Sequence, residues 1–288
     1  MFLSVVVASA NRPEMLTETL ESLANQTRPP DELILSTTKP ADVGDIPERL
    51  RPFTRVITGP ASSTRQRNAG IDASGAACDA ISFMDDDVEL APDYLAQVAK
   101  FFGDRPDVFA FSGHVADLPA GTRAEARRLL GIPSEASFTG ADGLYGCSMN
   151  VRRATALAVR FDERLSLYAW MEDYDFGRRC QAHGKVGFYT GCRLVHLGCP
   201  SGRVSEARFG YAQIMNPTYL FRKGTYGPAR KLFVDNWLRA LAANTLLAFE
   251  AASPGRRTHR GRLRGNLIAI SQILTGRVNP EGIARVRD

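Results

Sequence analysis

The hydrophobic positions of the N-terminal third come as short unbroken runs, separated by segments whose apolar residues recur at helical spacing. Residues 2–8 are a Val-rich run and read as a buried strand. Asn11-Arg12-Pro13 follows as a turn, with Asn11 as the expected helix cap and Pro13 at the first helical position. Met15, Leu16, Leu20 and Leu23 then mark a helix that Asn25-Gln26-Thr27 closes before Pro29-Pro30. Residues 32–36 and 55–58 are two further short strands, 64–73 a helix containing Gly70, and 79–84 a fourth strand. This alternation predicts an α/β fold with a mainly parallel sheet flanked by helices. Residues 116–142, rich in Gly, Pro, Ala and Ser, are expected to form a loop over the site.

The fourth run ends in Asp85-Asp86-Asp87. In parallel sheets ligands bind beyond the carboxyl ends of the strands, which is where these acids are expected. Three adjacent carboxylates repel one another, and a hard divalent ion shared with substrate phosphates would offset that charge. A solvated acidic turn is the plainer reading of the triplet taken alone. A second acidic cluster, Glu172-Asp173-Tyr174-Asp175, precedes a helical pattern. It reads either as first-turn capping of the helix or as the source of a general base. His196, one of four histidines, follows a strand-like run and could complete a metal's coordination or simply sit satisfied at a strand end.

Composition narrows the setting. Hydrophobic content of 44% and charged content of 23% are those of an ordinary globular protein. Five widely spaced cysteines without a CxxC pair argue against a disulfide framework or zinc knuckle, and for a reducing, cytoplasmic compartment. The opening residues imitate a signal peptide but lack a basic n-region, so a first strand accounts for them better. The net charge of +5 hides an asymmetry: residues 222–288 carry 13 Lys/Arg against 4 Asp/Glu. Within that basic extension, residues 229–249 place Leu232, Phe233, Trp237, Leu238, Leu241 and Leu247 at amphipathic spacing, and Arg256–Arg264 is densely basic. Two readings stand for 229–264: peripheral association with the anionic inner face of a membrane, or packing against the body or a partner subunit. Nucleic acid is not expected, because the basic cluster lacks interleaved aromatics and any accompanying motif.

The order of motifs resembles the large inverting glycosyltransferase family 2 with the GT-A (Rossmann-like) fold. The resemblance rests on the strand 4–8, Asn11-Arg12, Gln26-Thr27, Arg67-Asn68-Ala69-Gly70-Ile71, Asp85-Asp86-Asp87, Gly146–Arg153 and Glu172-Asp173 with Arg178 or Arg179. It implies a nucleotide-sugar-binding and catalytic domain over 1–221, with a helical extension over 222–288. It implies that Asp87 binds Mn²⁺ or Mg²⁺ with His196, and that Asp85 contacts the sugar nucleotide with Asp86 between them. Ser9, Asn11, Arg67 and Asn68 are implied along the nucleotide and diphosphate. Asp173 is implied as the base and Glu172 as an orienting residue, with Gly146 and Trp170 on the acceptor side. The chain departs from the family at the end of its second strand, where acids usually help read the nucleoside. Here Thr37 and Thr38 offer only hydroxyls, so UDP, dTDP and GDP sugars remain open.

The activity so implied is metal-dependent transfer of a sugar to a hydroxyl of a glycan or lipid-linked acceptor, in bacterial surface polysaccharide synthesis. A sugar-nucleotide pyrophosphorylase would need a Gly-rich, Lys-containing loop after the first strand, which Ala8-Ser9-Ala10-Asn11-Arg12 is not. A non-catalytic sugar-nucleotide or glycan-binding module is the remaining alternative.

Overall fold

The structure, a computed structural model, describes residues 1–199, 204–250 and 256–287. The chain divides into two compact units: 1–61, 65–161 and 176–202 in the first, and 62–64, 162–175 and 203–288 in the second.

The first unit is built on a nine-stranded mixed sheet. Strands β3 (Thr54–Thr58), β2 (Glu32–Thr37), β1 (Leu3–Ala8) and β4 (Ala80–Asp85) run parallel in that spatial order. The sheet continues through β8 (Ser148–Arg152), β6 (Val108–Asp117), β9 (Lys185–His196) and β5 (Val88–Leu90), with β7 (Phe138–Gly140) also on β9. β1 reads as an unbroken apolar run because both of its faces are covered. Its odd positions, Leu3, Val5 and Val7, pack with Leu16, Leu20 and Leu23 of α1 (Pro13–Ala24). Val6 enters the opposite layer with Phe83, Phe161, Phe176 and Ile71 of α2 (Ser63–Ala73). Gly70 sits inside that helix because a Cβ there would lie 2.4 Å from Val6 Cγ1. The helix approaches the strand more closely than any larger residue permits.

Two expectations change in detail. Asn11 does not cap α1: it takes a left-handed φ of +57°, Arg12 occupies the cap position, and no side chain closes the helix start. The segment 116–142 is not all loop. It contains the end of β6, the helix α4 (Arg123–Leu130) and β7. A capping box formed by Thr122 and Glu125 starts α4, and Leu130 and Ala126 bury its inner face.

The second unit is helical. The helix α7 (Glu206–Lys223) packs on a long C-terminal helix (Arg256–Leu274) through small residues. A Cβ on Gly210 or Gly265 would stand 2.0 Å from a carbonyl oxygen of the facing helix. A buried polar chain runs beside that contact: Asn266 donates to the Gly210 carbonyl and Asn244 to Asn266 Oδ1. The expected single helix over 229–249 is a short turn (Ala229–Lys231), a π-helical turn (Leu232–Leu238) and an α-helix (Arg239–Phe249). Leu232 is buried, whereas Phe233 and Leu238 are exposed, so the apolar positions do not share one face. Among the described residues no helix is long and apolar enough to cross a membrane.

Candidate active site

Register builds the acidic centre of the first unit. β1 pairs with β4 so that Ala8 lies opposite Asp85, and the chain order reverses between these two strands. Ser9 and the turn Asp86-Asp87 therefore emerge side by side at the carboxyl edge, the position where open parallel sheets bind ligands. β5 then crosses to β9, where Val88 pairs with His196. On the other side of β9, Asp117 of β6 also pairs with His196, after a bulge at Thr190–Cys192 shifts the register.

The three aspartates are not equivalent. Asp86 is fully buried; Ser9 Oγ donates to it at 2.5 Å and Arg12 Nη2 lies 2.6 Å away. Burial raises its pKa to about 7 against the pull of Arg12 and Ser9. Asp85 is partly exposed and accepts from Arg67 Nη2 at 2.9 Å. Arg67 also reaches the Gly146 carbonyl at 3.3 Å and lies over the Phe161 ring. Asp87 accepts the Cys199 backbone N–H at 2.9 Å and stands 3.3 Å from His196 Nε2. Burial opposes its charge, but His196 and Arg12 more than offset it and hold the carboxyl below its usual range. Burial likewise works against a charged His196, yet Asp87 and Asp117 raise its pKa to about 9.

One ligand atom from each of Asp85, Asp87 and His196 lies within 4.8 Å of the others. Two carboxylates and an imidazole form a donor set suited to Mn²⁺, and the carboxylates alone suit Mg²⁺. The residues present thus fit a divalent ion.

Ser9 and Asn68 have structural partners. Ser9 is spent on Asp86, and Asn68 clamps the Phe161 backbone through Nδ2 at 3.0 Å and Oδ1 at 2.8 Å. Thr37 is buried, while Asn11 is exposed. A carboxylate does stand near the end of β2, one turn further along than the strand pattern indicates. Asp42 is buried, accepts from the Thr38 backbone N–H and hydroxyl, and takes the Asn11 backbone N–H as well. Burial raises its pKa, but these bonds leave it lowered. Sequence alone also misses Arg12 and Asp117 as partners of the acidic centre. Arg12 stands out in the sequence only as part of the Asn11-Arg12 turn and motif, without a role toward the acids, and Asp117 is hidden in a segment read as loop.

The second acidic cluster begins α6 (Glu172–Cys180), and Glu172–Asp175 belong to the second unit. The chain reaches it through Leu167, Ala169 and Met171, all non-glycine residues with positive φ between 52° and 72°. Such backbone costs about 1–3 kcal/mol per residue and persists only where surrounding structure enforces it. Asp175 supplies part of that enforcement: it is fully buried and binds Lys223 Nζ at 2.8 Å and the Thr225 hydroxyl at 2.7 Å. Lys223 also holds Asp162 at 2.6 Å. Asp173 is partly exposed and accepts the Tyr174 backbone N–H at 2.7 Å, while Glu172 is buried. Trp170 packs edge-on to Phe209, with ring centroids 5.2 Å apart, and its carbonyl accepts from Asn216. Pro200–Arg203, the end of the histidine motif, lie outside the described residues.

Comparison with known proteins agrees with this architecture. No curated protein matches the chain in sequence. Among solved structures, S. aureus TarS superposes with a TM-score of 0.57 at 14% identity, covering 96% of this chain and 50% of that one. The chain thus spans about half the length of that protein. S. aureus TarS 1-349 in complex with UDP gives 0.53 at 15% identity, and in complex with UDP-GlcNAc 0.51 at 14%. Those two cover 96% of this chain and 92% and 93% of theirs, which establishes a shared fold. The signature of Glycosyl transferase family 2 matches residues 4–192, well over half of the sequence, and the chain belongs to that family.

Proposed function

We propose that this glycosyltransferase moves a hexosyl or deoxyhexosyl unit from a nucleoside diphosphate sugar to a hydroxyl of a glycan or lipid-linked acceptor, with inversion at the anomeric carbon. The observation that carries the reading is the convergence of Asp85, Asp87 and His196 at the carboxyl edge of β4. UDP, dTDP and GDP donors all fit that chemistry, and the UDP complexes of the TarS neighbour favour testing UDP first.

The residues divide the work. Asp85, Asp87 and His196 would hold Mn²⁺ or Mg²⁺, which when bound offsets charge developing on the departing diphosphate. Arg67, anchored on Asp85 and Gly146, brings a fixed guanidinium to the same edge, suited to a phosphate. Asn11, exposed and with Asp42 buttressing it, stands at the rim assigned to the nucleoside, with Thr37 buried at the end of β2. Asp86, held by Arg12 and Ser9, fixes the turn that presents its two neighbours. Asp173 takes the proton of the acceptor hydroxyl, Glu172 supports its orientation, and Trp170 and Gly146 are assigned to the acceptor side. One displacement at the anomeric carbon inverts its configuration.

Calorimetric titration of UDP, dTDP and GDP, each with and without Mn²⁺, into wild type and Asp87→Ala tests the donor half. Metal-dependent binding of one nucleotide, lost in the variant, is expected; equal binding without metal overturns it. NMR of the product's anomeric signal tests inversion.

The lipid side of the reading has support of its own. On the C-terminal helix, Arg257, Arg260, Arg264, Leu267, Ser271 and Leu274 are exposed at spacings that define one stripe, basic at one end and apolar at the other. Arg260 Nε donates to the Ala248 carbonyl beside exposed Phe249. Apolar side chains next to guanidinium groups match the boundary of an anionic bilayer. Residues 251–255 of the 229–264 region lie outside the described residues.

A further inference from the structure

We infer that Asp117 is a positioning residue for the metal centre, setting which nitrogen of His196 faces the ion. This rests on the reading of Asp85, Asp87 and His196 as metal ligands. Three observations carry it. The β6–β9 ladder pairs Asp117 directly with His196, and it does so only because the bulge at Thr190–Cys192 resets the register. Asp117 Oδ1 lies 2.9 Å from His196 Nδ1, while His196 Nε2 points to Asp87 at 3.3 Å. The Tyr145 hydroxyl donates to both Asp117 oxygens at 3.1 Å, fixing the carboxylate from its other side.

The chemistry follows from what a carboxylate can do. It only accepts, so Nδ1 must carry the hydrogen in this contact. When His196 is neutral its lone pair is then confined to Nε2, the nitrogen on the side of Asp87. Without Asp117 the ring could place its proton on Nε2, or turn, and either state withdraws the ligand. A carboxylate behind a ligating imidazole also raises its basicity, and loss of such a partner typically weakens metal binding about 10–100-fold. Tyr145 belongs to the segment that leads into Gly146, so the same contact ties the acceptor-side strand to the metal's histidine.

The test is Mn²⁺ binding to the full chain, read from the free-ion EPR signal. Electron spin echo modulation by ¹⁴N reports imidazole coordination independently of activity. Asp117 is 54% exposed at a strand end, so its substitution is expected to leave the melting temperature unchanged. Asp117→Leu should weaken Mn²⁺ by about 10–100-fold and abolish the ¹⁴N modulation. Asp117→Asn, whose amide oxygen still accepts from Nδ1–H, should retain the modulation with a smaller loss of affinity. Tyr145→Phe should fall between Asn and wild type. If Asp117→Leu keeps wild-type affinity and modulation while His196→Ala loses both, the positioning role is wrong and the metal site stands. If wild type shows no ¹⁴N modulation, or Asp87→Asn leaves Mn²⁺ binding intact, the metal site itself fails and this role fails with it.

Discussion

The two acidic clusters solve one problem with different supports. In each, one carboxylate is fully buried and held by a cation: Asp86 by Arg12, and Asp175 by Lys223. The neighbouring acids are the ones proposed for chemistry, Asp85 and Asp87 at the metal and Asp173 as the base. The supports differ. Asp85–Asp87 leave a strand whose register is fixed on both sides by hydrogen-bonded neighbours. Glu172–Asp175 follow a segment with three left-handed non-glycine residues, held by side chains rather than by a ladder. A sheet edge suits groups that must keep a fixed coordination geometry.

The largest expected effect separates the chemistry of the two clusters. Asp173→Asn should lower turnover by about 10²–10⁴-fold, the usual contribution of a general base. Nucleotide and Mn²⁺ binding should stay at wild-type values, whereas Asp87→Ala should lose both. Single-turnover kinetics beside calorimetry read the split. Equal loss of nucleotide binding in the two variants would dissolve the division of labour.

Next in size is the clamp. Lys223→Met leaves Asp175 buried without its cation and should cost about 3–5 kcal/mol, as breaking one side of a buried pair does. Urea unfolding measures the loss. Mn²⁺ affinity should be unchanged, since the residues proposed to hold the metal lie in the sheet-based unit. A wild-type midpoint would mean that the loop carries its own strain without Lys223.

How far the sequence announced this arrangement differs between the clusters. β1, β2 and β4 were legible because strands covered on both faces give unbroken Val/Ile/Leu runs, and β4 ends in the triplet as its pattern predicts. The different surroundings of the three aspartates were not legible from the residues, which are identical; only the resemblance told them apart, implying Asp87 for the metal and Asp85 for the sugar nucleotide. Asp117 could not be found by spacing: its partner is set by a bulge in another strand. α4 did carry a signal, Thr122 and Glu125 at capping-box spacing, but the surrounding Gly, Pro and Ala obscured it. His196 stood out as a rare histidine after a strand-like run, with two readings open, and the β5–β9 pairing gives the physical reason for its place beside the triplet. The clamp on Asp175 comes from Lys223, far along the chain at the end of α7, where no local pattern points to it.

A smaller effect concerns the outer surface of the second unit. Arg257, Arg260 and Arg264 changed together to Gln should reduce partition onto anionic vesicles by roughly two orders of magnitude, at about 1 kcal/mol per Arg. Cosedimentation with anionic and neutral phospholipid vesicles reads this, with high salt as a control. Binding that ignores lipid charge would assign the stripe to protein packing instead.

The smallest effect sharpens the contrast between ladder and clamp through pH. Asp162 accepts Lys223 Nζ at 2.6 Å and the Tyr219 hydroxyl at 2.8 Å. Burial pushes the Asp162 pKa up, but these bonds more than offset it and leave it lowered. Its stabilising contribution is therefore complete above the unfolded value of about 3.9 and is lost as pH falls through the lower folded value. The phenol works at the other edge. Burial and the Asp162 carboxylate raise Tyr219 to about 12, so its contribution is complete below the unfolded value of about 10. That contribution disappears as pH rises through the folded value. Asp162→Asn should remove its own share of the acid slope, to which Asp42 and Asp87 also contribute, and lessen the alkaline slope in part, since burial still raises Tyr219. Tyr219→Phe should lessen the alkaline slope and keep the acid one, since Lys223 still holds the carboxylate. Urea midpoints against pH for the three proteins check this. An acid slope equal to that of wild type in Asp162→Asn would move the pH sensitivity of the clamp to a different carboxylate.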